Sequence, residues 1–231
     1  MLKMNKLHLH LTDENGWRLE IKQYPLLTSV GSKNVDRKGQ LFPERRNARQ
    51  GEPLVEGGFY TQDDMKEIIA YAANRQIEVI PEIAMPGHSN AALSAYPLLA
   101  CPVVDEYIGA VPGLGGNHTR IVYCAGNEDV FTFLQHIIDE VVELFPSRYI
   151  HVGGDAIHDT HWEECPLCRE RMKKEGLDDE MDLLGYFMRR IDSYVRGKGR
   201  KLMGWAEVMD ANLSKGAVVF DWHGYGHGSV K

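Results

Sequence analysis

A carboxylate, Asp155, is delivered by the stretch His151-Val152-Gly153-Gly154-Asp155-Ala156, which follows Tyr149-Ile150. The stretch reads as a short buried strand ending in two glycines. Lacking a Cβ, they permit a sharp exit and a close approach of ligand to backbone. Asp155 then projects from the strand's C-terminal end, where parallel α/β folds keep their chemistry. Other strand-like runs end in groups of the same character: Asp13, His88, Trp205 with Glu207, and Trp222. Acids and a histidine beside several indoles suggest a sugar site, because indoles pack on the apolar faces of sugar rings and carboxylates bond hydroxyls. Glycoside hydrolysis ordinarily uses two carboxyl groups, one of them a protonated acid for the leaving oxygen. Beside Asp155 stands Ala156. Taken singly, Trp205 and Trp222 fit core positions better than ligand platforms, His88 fits a turn histidine as well as a site residue, and Asp13 fits a loop cap. Convergence at strand ends raises them together.

The elements that must position these groups follow from periodicity. Residues 4–13 alternate apolar and polar, a strand pattern that runs into a loop at Asn15-Gly16. Residues 17–21 read as extended, and 28–60, rich in Gly and Pro, as a long loop of the kind that is usually functional or a lid. Thr61, with Asp63 and Asp64 behind it, caps a helix carrying Met65, Ile68, Ile69 and Ala72. Residues 77–83 form the next strand, and Met85-Pro86-Gly87-His88 a tight turn at its end. Residues 97–124 are irregular. An amphipathic helix opens at Asn127 and stops before Pro146. Residues 160–180 read as a charged loop or short helix, 181–195 as a helix, and 201–205 and 216–222 as strands around a short helical link. Strand–helix alternation implies a parallel sheet with right-handed crossovers. Contributions from successive strand ends to one mouth fit a barrel better than a doubly wound sheet. Five strands do not close an eight-stranded one, so the sheet is open or the chain is a piece of a barrel.

At these residues the chain closely resembles glycoside hydrolase family 20, the β-N-acetylhexosaminidases. The matching stretches are KLHLHLTDENGWRLEIKQYPLLT (6–28), GFYTQDDMKEIIAYAANRQIEVIPEIAMPGHSNAALSAYP (58–97), CAGNEDVFTFLQHIIDEVVELFPSRYIHVGGDA (124–156), LMGWAE (202–207) and VVFDWHG (218–224). The resemblance implies a (β/α)8 TIM barrel, incomplete here, with about five β/α units matching the family's strands 2 to 6. It treats residues 1–231 as one partial catalytic barrel domain. Strand 1, with a sugar-binding Arg, and strands 7 and 8, with a Tyr and further acid and Trp contacts, have no counterpart in the sequence.

The resemblance also implies a mechanism. In the family the substrate's own 2-acetamido oxygen attacks C1, giving an oxazolinium intermediate with retention. An Asp orients the acetamido group, and an adjacent Glu protonates the leaving oxygen. Asp155 matches that Asp, and Ala156 stands at the Glu position. Asp13 and His88 match residues that hold the acid through a hydrogen-bonded relay, Trp205 and Trp222 match walls of the acetamido pocket, and Glu207 belongs to the same substrate-binding set. Two further departures are Ala84, where the family usually has an acid, and Ala206, where it often has Asp. A methyl group carries no proton, so terminal β-linked GlcNAc or GalNAc is the expected ligand and turnover is expected to be absent or strongly impaired. Ala156 fits a Glu-to-Ala replacement in an otherwise active enzyme. It also fits a degenerate relative or gene fragment that binds amino sugars without catalysis.

A reading from another class is a zinc-binding module: His158, His161, Cys165 and Cys168 have the form H-x2-H-x3-C-x2-C, and C-x2-C is a common zinc half-site. The family-like loop needs no metal, so neither metal nor other cofactor is expected. Bulk properties fit a globular domain: 231 residues, 43% hydrophobic, formal charge -7. The acidic balance argues against nucleic acid, whose phosphates need clustered Lys and Arg. No apolar run approaches the ~20 residues that span a bilayer, and no export signal opens the sequence, although the family is often secreted, periplasmic or lysosomal. The expected partners are N-acetylhexosamine-containing glycans. An incomplete barrel with open strand edges is also expected to self-associate or to be completed by a missing segment.

Overall fold

A computed structural model describes residues 3–37, 47–112, 120–155, 157 and 160–222. In chain order, β1 (Lys6–His10) leads into a small hairpin of β2 (Thr12–Asp13) and β3 (Gly16–Trp17). A short helix α1 (Leu26–Ser29) and an antiparallel ribbon of β4 (Asn34–Val35) and β5 (Leu54–Val55) follow. Thereafter the order is α2 (Gln62–Ala73), β6 (Glu78–Met85), α3 (Asn90–Ala95), α4 (Glu128–Leu144), β7 (Tyr149–Gly153), α5 (Pro166–Glu175), α6 (Glu180–Gly197), β8 (Lys201–Trp205) and β9 (Val218–Phe220). Strands β1, β6, β7, β8 and β9 form one sheet in that order, every neighbouring pair parallel. Sequential strands lie side by side across helical crossovers, the winding of a barrel wall. Among the described residues the sheet stays open, with β1 and β9 at its edges.

The three long helices α2, α4 and α6 start where a side chain supplies an acceptor for their first N–H groups. Thr61 and Asp64 form a reciprocal capping box on α2, Asn127 caps α4 through the Asp129 N–H, and Asp179 caps α6 through that of Asp182. Helix α4 buries Phe131, Leu134, Ile138 and Val141, and α6 buries Leu184, Phe187, Ile191 and Val195. These faces join Ile83, Ile150, Val152 and Leu202 of the strands in one continuous core. Each such side chain contributes roughly 1.5–3 kcal/mol on leaving water.

The 28–60 stretch is less bare than its composition predicts. It carries the β4–β5 ribbon, in which Val35 is buried in a small satellite cluster with Ala48 and Val111. Positions 38–46 of that stretch, and 113–119 of the irregular 97–124 stretch, lie outside the described residues. Of the two readings of 160–180, helix prevails over 166–175, with Pro166 in its first turn and Gly176 closing it at φ +66°. No helix among the described residues is long and apolar enough to cross a membrane.

Candidate active site

The alternating strand β1 turns His8 and His10 toward Glu82, while Leu9 packs against the core on the other face. Register pairs His10 with Glu82 on β6. Glu82 is fully buried, and its Oε2 lies 2.7 Å from His8 Nε2 and 2.9 Å from His10 Nδ1. The Trp205 indole N–H, at the end of β8, donates to Glu82 Oε1 at 3.1 Å. Between Glu82 and Met85 the pairing of β6 with β7 shifts register. Such irregularities re-aim side chains at barrel rims.

From His10 the polar chain continues into the β2–β3 hairpin. His10 Nε2 lies 2.9 Å from Asp13 Oδ2, and the backbone N–H of Glu14 donates to Asp13 Oδ1 at 2.6 Å. The Met-Pro-Gly-His turn at the end of β6 then carries His88 over the hairpin. His88 Nδ1 lies 3.1 Å from Asp13 Oδ1 and 2.7 Å from Glu14 Oε2, and its Nε2 lies 3.1 Å from Asp155 Oδ2. Its backbone is left-handed, φ +51°, a conformation unusual for a residue with a Cβ and one that recurs at functional sites. Gly153 and Gly154, at φ +71° and +99°, turn the chain off β7 so that Asp155 faces His88. Only glycine fits position 154: a Cβ there would come within 2.1 Å of Val208 Cγ1.

The charges follow from this crowding. Burial alone would favour a neutral His88 ring, but Asp13, Asp155 and Glu14 outweigh it and push it up to about 12. His10 is likewise disfavoured by burial and is pushed up to about 10 by Asp13 and Glu82. Burial opposes ionisation of Asp13 and Glu82. His10 and His88 nonetheless hold Asp13 well below the usual carboxylate range, and His10, His151 and His8 do the same for Glu82. Glu14 goes the other way. Its burial, with Asp13 beside it, lifts it to about 7 against the pull of His88. Asp155 Oδ1 is buried and has no hydrogen-bond partner among the described residues.

Of the residues expected from sequence, Asp13, His88 and Asp155 meet directly, and Trp205 joins them through Glu82 and His10. Glu207 and Trp222 meet each other instead, the Trp222 indole donating to Glu207 Oε2 at 3.3 Å, with Trp222 largely exposed. Ala156 and His158 lie outside the described residues. His161 is buried with its Nδ1 3.8 Å from Glu164 Oε2, and it is not among the ligand-like groups gathered around Cys165 and Cys168. The structure gathers Cys101 and Cys124 there. Ala84 is buried, and its N–H donates to Thr12 Oγ1 at 2.8 Å. Sequence reasoning missed His8, His10, Glu14, Glu82 and His151. The period-2 spacing of His8 and His10 on a strand already carrying Asp13 beyond its end was the available signal.

Over residues 1–231 the chain matches the model described as glycosyl hydrolase family 20, catalytic domain. It is similar to the β-hexosaminidase of Porphyromonas gingivalis, 41% identical over 224 residues that cover 97% of this chain and 26% of that protein. It is also similar to the β-hexosaminidase of Vibrio furnissii, 36% identical, covering 95% of this chain and 35% of that one. Among solved structures it is similar to the β-N-acetylhexosaminidase of Bacteroides fragilis, with a TM-score of 0.75 and 40% identity over 97% of this chain and 41% of that chain. It also resembles an exo-β-N-acetylglucosaminidase of Vibrio harveyi solved with N-acetylglucosamine, with a TM-score of 0.77 and 31% identity over 94% of this chain and 33% of that one. The chain therefore spans less than half the length of each of these relatives.

Proposed function

The chain belongs to glycosyl hydrolase family 20, and on that premise we propose that it forms the acetamido-binding part of a β-N-acetylhexosaminidase site for a terminal β-linked GlcNAc or GalNAc. Its five-stranded parallel sheet is a half-barrel of the family's TIM-barrel fold. The observation that carries the proposal is the Asp13–His88–Asp155 relay, with the Oδ1 of Asp155 beside it, which has no partner among the described residues. In this reading Asp155 accepts the acetamido N–H and turns the acetamido oxygen toward C1. His88, held cationic by its three acids, fixes the other oxygen of Asp155. Trp205, anchored by Glu82, and Trp222, bonded to Glu207, wall the acetamido group.

The leaving oxygen then needs a proton. The sequence puts Ala156 at the position from which the family supplies it, so this chain binds the sugar and turns it over poorly or not at all. General acid catalysis typically contributes about 10²–10⁴-fold. In the full-length protein, Ala156→Glu is expected to raise hydrolysis of an aryl N-acetyl-β-glucosaminide by that factor, and adding Asp155→Asn is expected to remove the gain. No gain from Ala156→Glu, in a variant that still binds N-acetylglucosamine, would sink the reading that only the acid is missing. It would favour the second reading, a degenerate amino-sugar binder, which Ala84, standing where the family usually has an acid, supports.

A further inference from the structure

Away from the sugar site, four cysteines converge. Cys101 follows the 3₁₀ turn Pro97–Leu99, Cys124 precedes the cap of α4, and Cys165 and Cys168 stand at the start of α5. All four are buried and form no disulfide, and their sulfurs lie within 4.8 Å of one another. The Cys101–Cys168 separation is 3.9 Å, and Cys124 lies 3.7 Å from both Cys165 and Cys168. A tetrahedral zinc–thiolate centre with bonds of ~2.3 Å has sulfur–sulfur edges of about 3.8 Å. The spacings therefore match its edges, whereas a disulfide would need ~2.05 Å.

The backbone around the cluster is fixed independently of any ligand. Cys124 N–H donates to Leu99 O at 2.9 Å, Ala100 bridges Tyr123, and Cys165 N–H donates to His161 O at 3.0 Å. Gly126 passes so close to α5 that a Cβ would come within 2.2 Å of the Leu167 backbone. Three chain segments far apart in sequence thus aim four thiols at one point, and one pair has the C-x2-C spacing of a zinc half-site.

We propose that Cys101, Cys124, Cys165 and Cys168 bind one structural zinc ion. Four protein thiolates complete the tetrahedron and leave no open position, so the ion braces rather than catalyses. Zinc suits four soft ligands in a domain whose proposed chemistry is not redox. The ion would brace the active-site turn as well: Tyr123, beside Cys124, donates its N–H to Pro86 O at 3.1 Å, two residues from His88. A zinc knot here would steady the turn that presents His88.

The test is elemental analysis of the full-length protein purified without chelators. One equivalent of zinc per chain is expected, falling below ~0.2 equivalents in a Cys124→Ser/Cys168→Ser variant. Should that variant fail to fold, exchange of the wild-type ion for cobalt supplies the second readout. The intense visible bands of a tetrahedral cobalt–thiolate centre are expected. Under ~0.2 equivalents of any metal in the wild type, with four thiols titrating or with a mass showing two disulfides, would overturn the proposal. One equivalent of iron would overturn the assignment to zinc.

Discussion

His88 takes three acids at once, and its behaviour with pH follows from that. Its folded value, pushed up to about 12, lies above the ordinary 6.5. The stability it contributes is therefore fully present below pH 6.5 and drains away as pH climbs toward 12. Glu14, lifted to about 7 from 4.5, pushes the same way, since its contribution is present below pH 4.5 and lost as pH rises through 7. Asp13 has the opposite sign: depressed below 3.8, it contributes above that value and is lost in acid. Stability should therefore fall between pH 6 and pH 9. For His88→Gln it should fall less steeply, the gap to wild type narrowing by at most about 1.4 kcal/mol per pH unit. Urea midpoints at the two pH values measure this, and parallel profiles for the two proteins would show that His88 is not held charged.

The elements succeed or fail on a few backbone positions. Gly154 combines a left-handed φ of +99° with a Cβ site 2.1 Å from Val208, whereas Gly176, at φ +66° closing α5, has open space around it. Gly176→Ala should cost about 1–2 kcal/mol, the penalty of the left-handed backbone alone. Gly154→Ala adds crowding in a packed core and should cost a further ~1–3 kcal/mol. Thermal or urea unfolding of the pair separates strain from packing, and equal losses would mean that Val208 yields freely. At this scale the sequence was a good guide. Thr61, Asn127 and the Gly153-Gly154 exit are local signals, and the structure has each element where they point. The interior network was not legible in the same way. Alternation in LHLH shows that β1 has two faces, but only the barrel wall determines that the polar one, with His8 and His10, turns inward onto Glu82. The thiol cluster was half legible: Cys165 and Cys168 are neighbours in sequence, whereas Cys101 and Cys124 join them through tertiary folding.

At the scale of the molecule the sheet itself makes the last prediction. Five parallel strands run from β1 to β9, and among the described residues neither edge strand has a further neighbour. Parallel sheets are covered on both faces, because their strands carry apolar side chains on each, and an uncovered edge exposes unpaired N–H and C=O groups. Here the inner face adds a special cost. Glu82 is ionised and buried, and Phe220 on the last strand is partly exposed beside His8 and His151. In a closed barrel, side chains from the opposite wall would cover that face and exclude water from the site. These 231 residues expressed alone should therefore self-associate, with a light-scattering mass above the 26.1 kDa of one chain. Supplying the remaining barrel strands, in the same chain or as a separate fragment, should return one barrel per particle and raise affinity for N-acetylglucosamine. A cooperative, monomeric 26.1 kDa species would mean that the half-barrel satisfies its own edges. The sugar site would then have to be complete without a second wall.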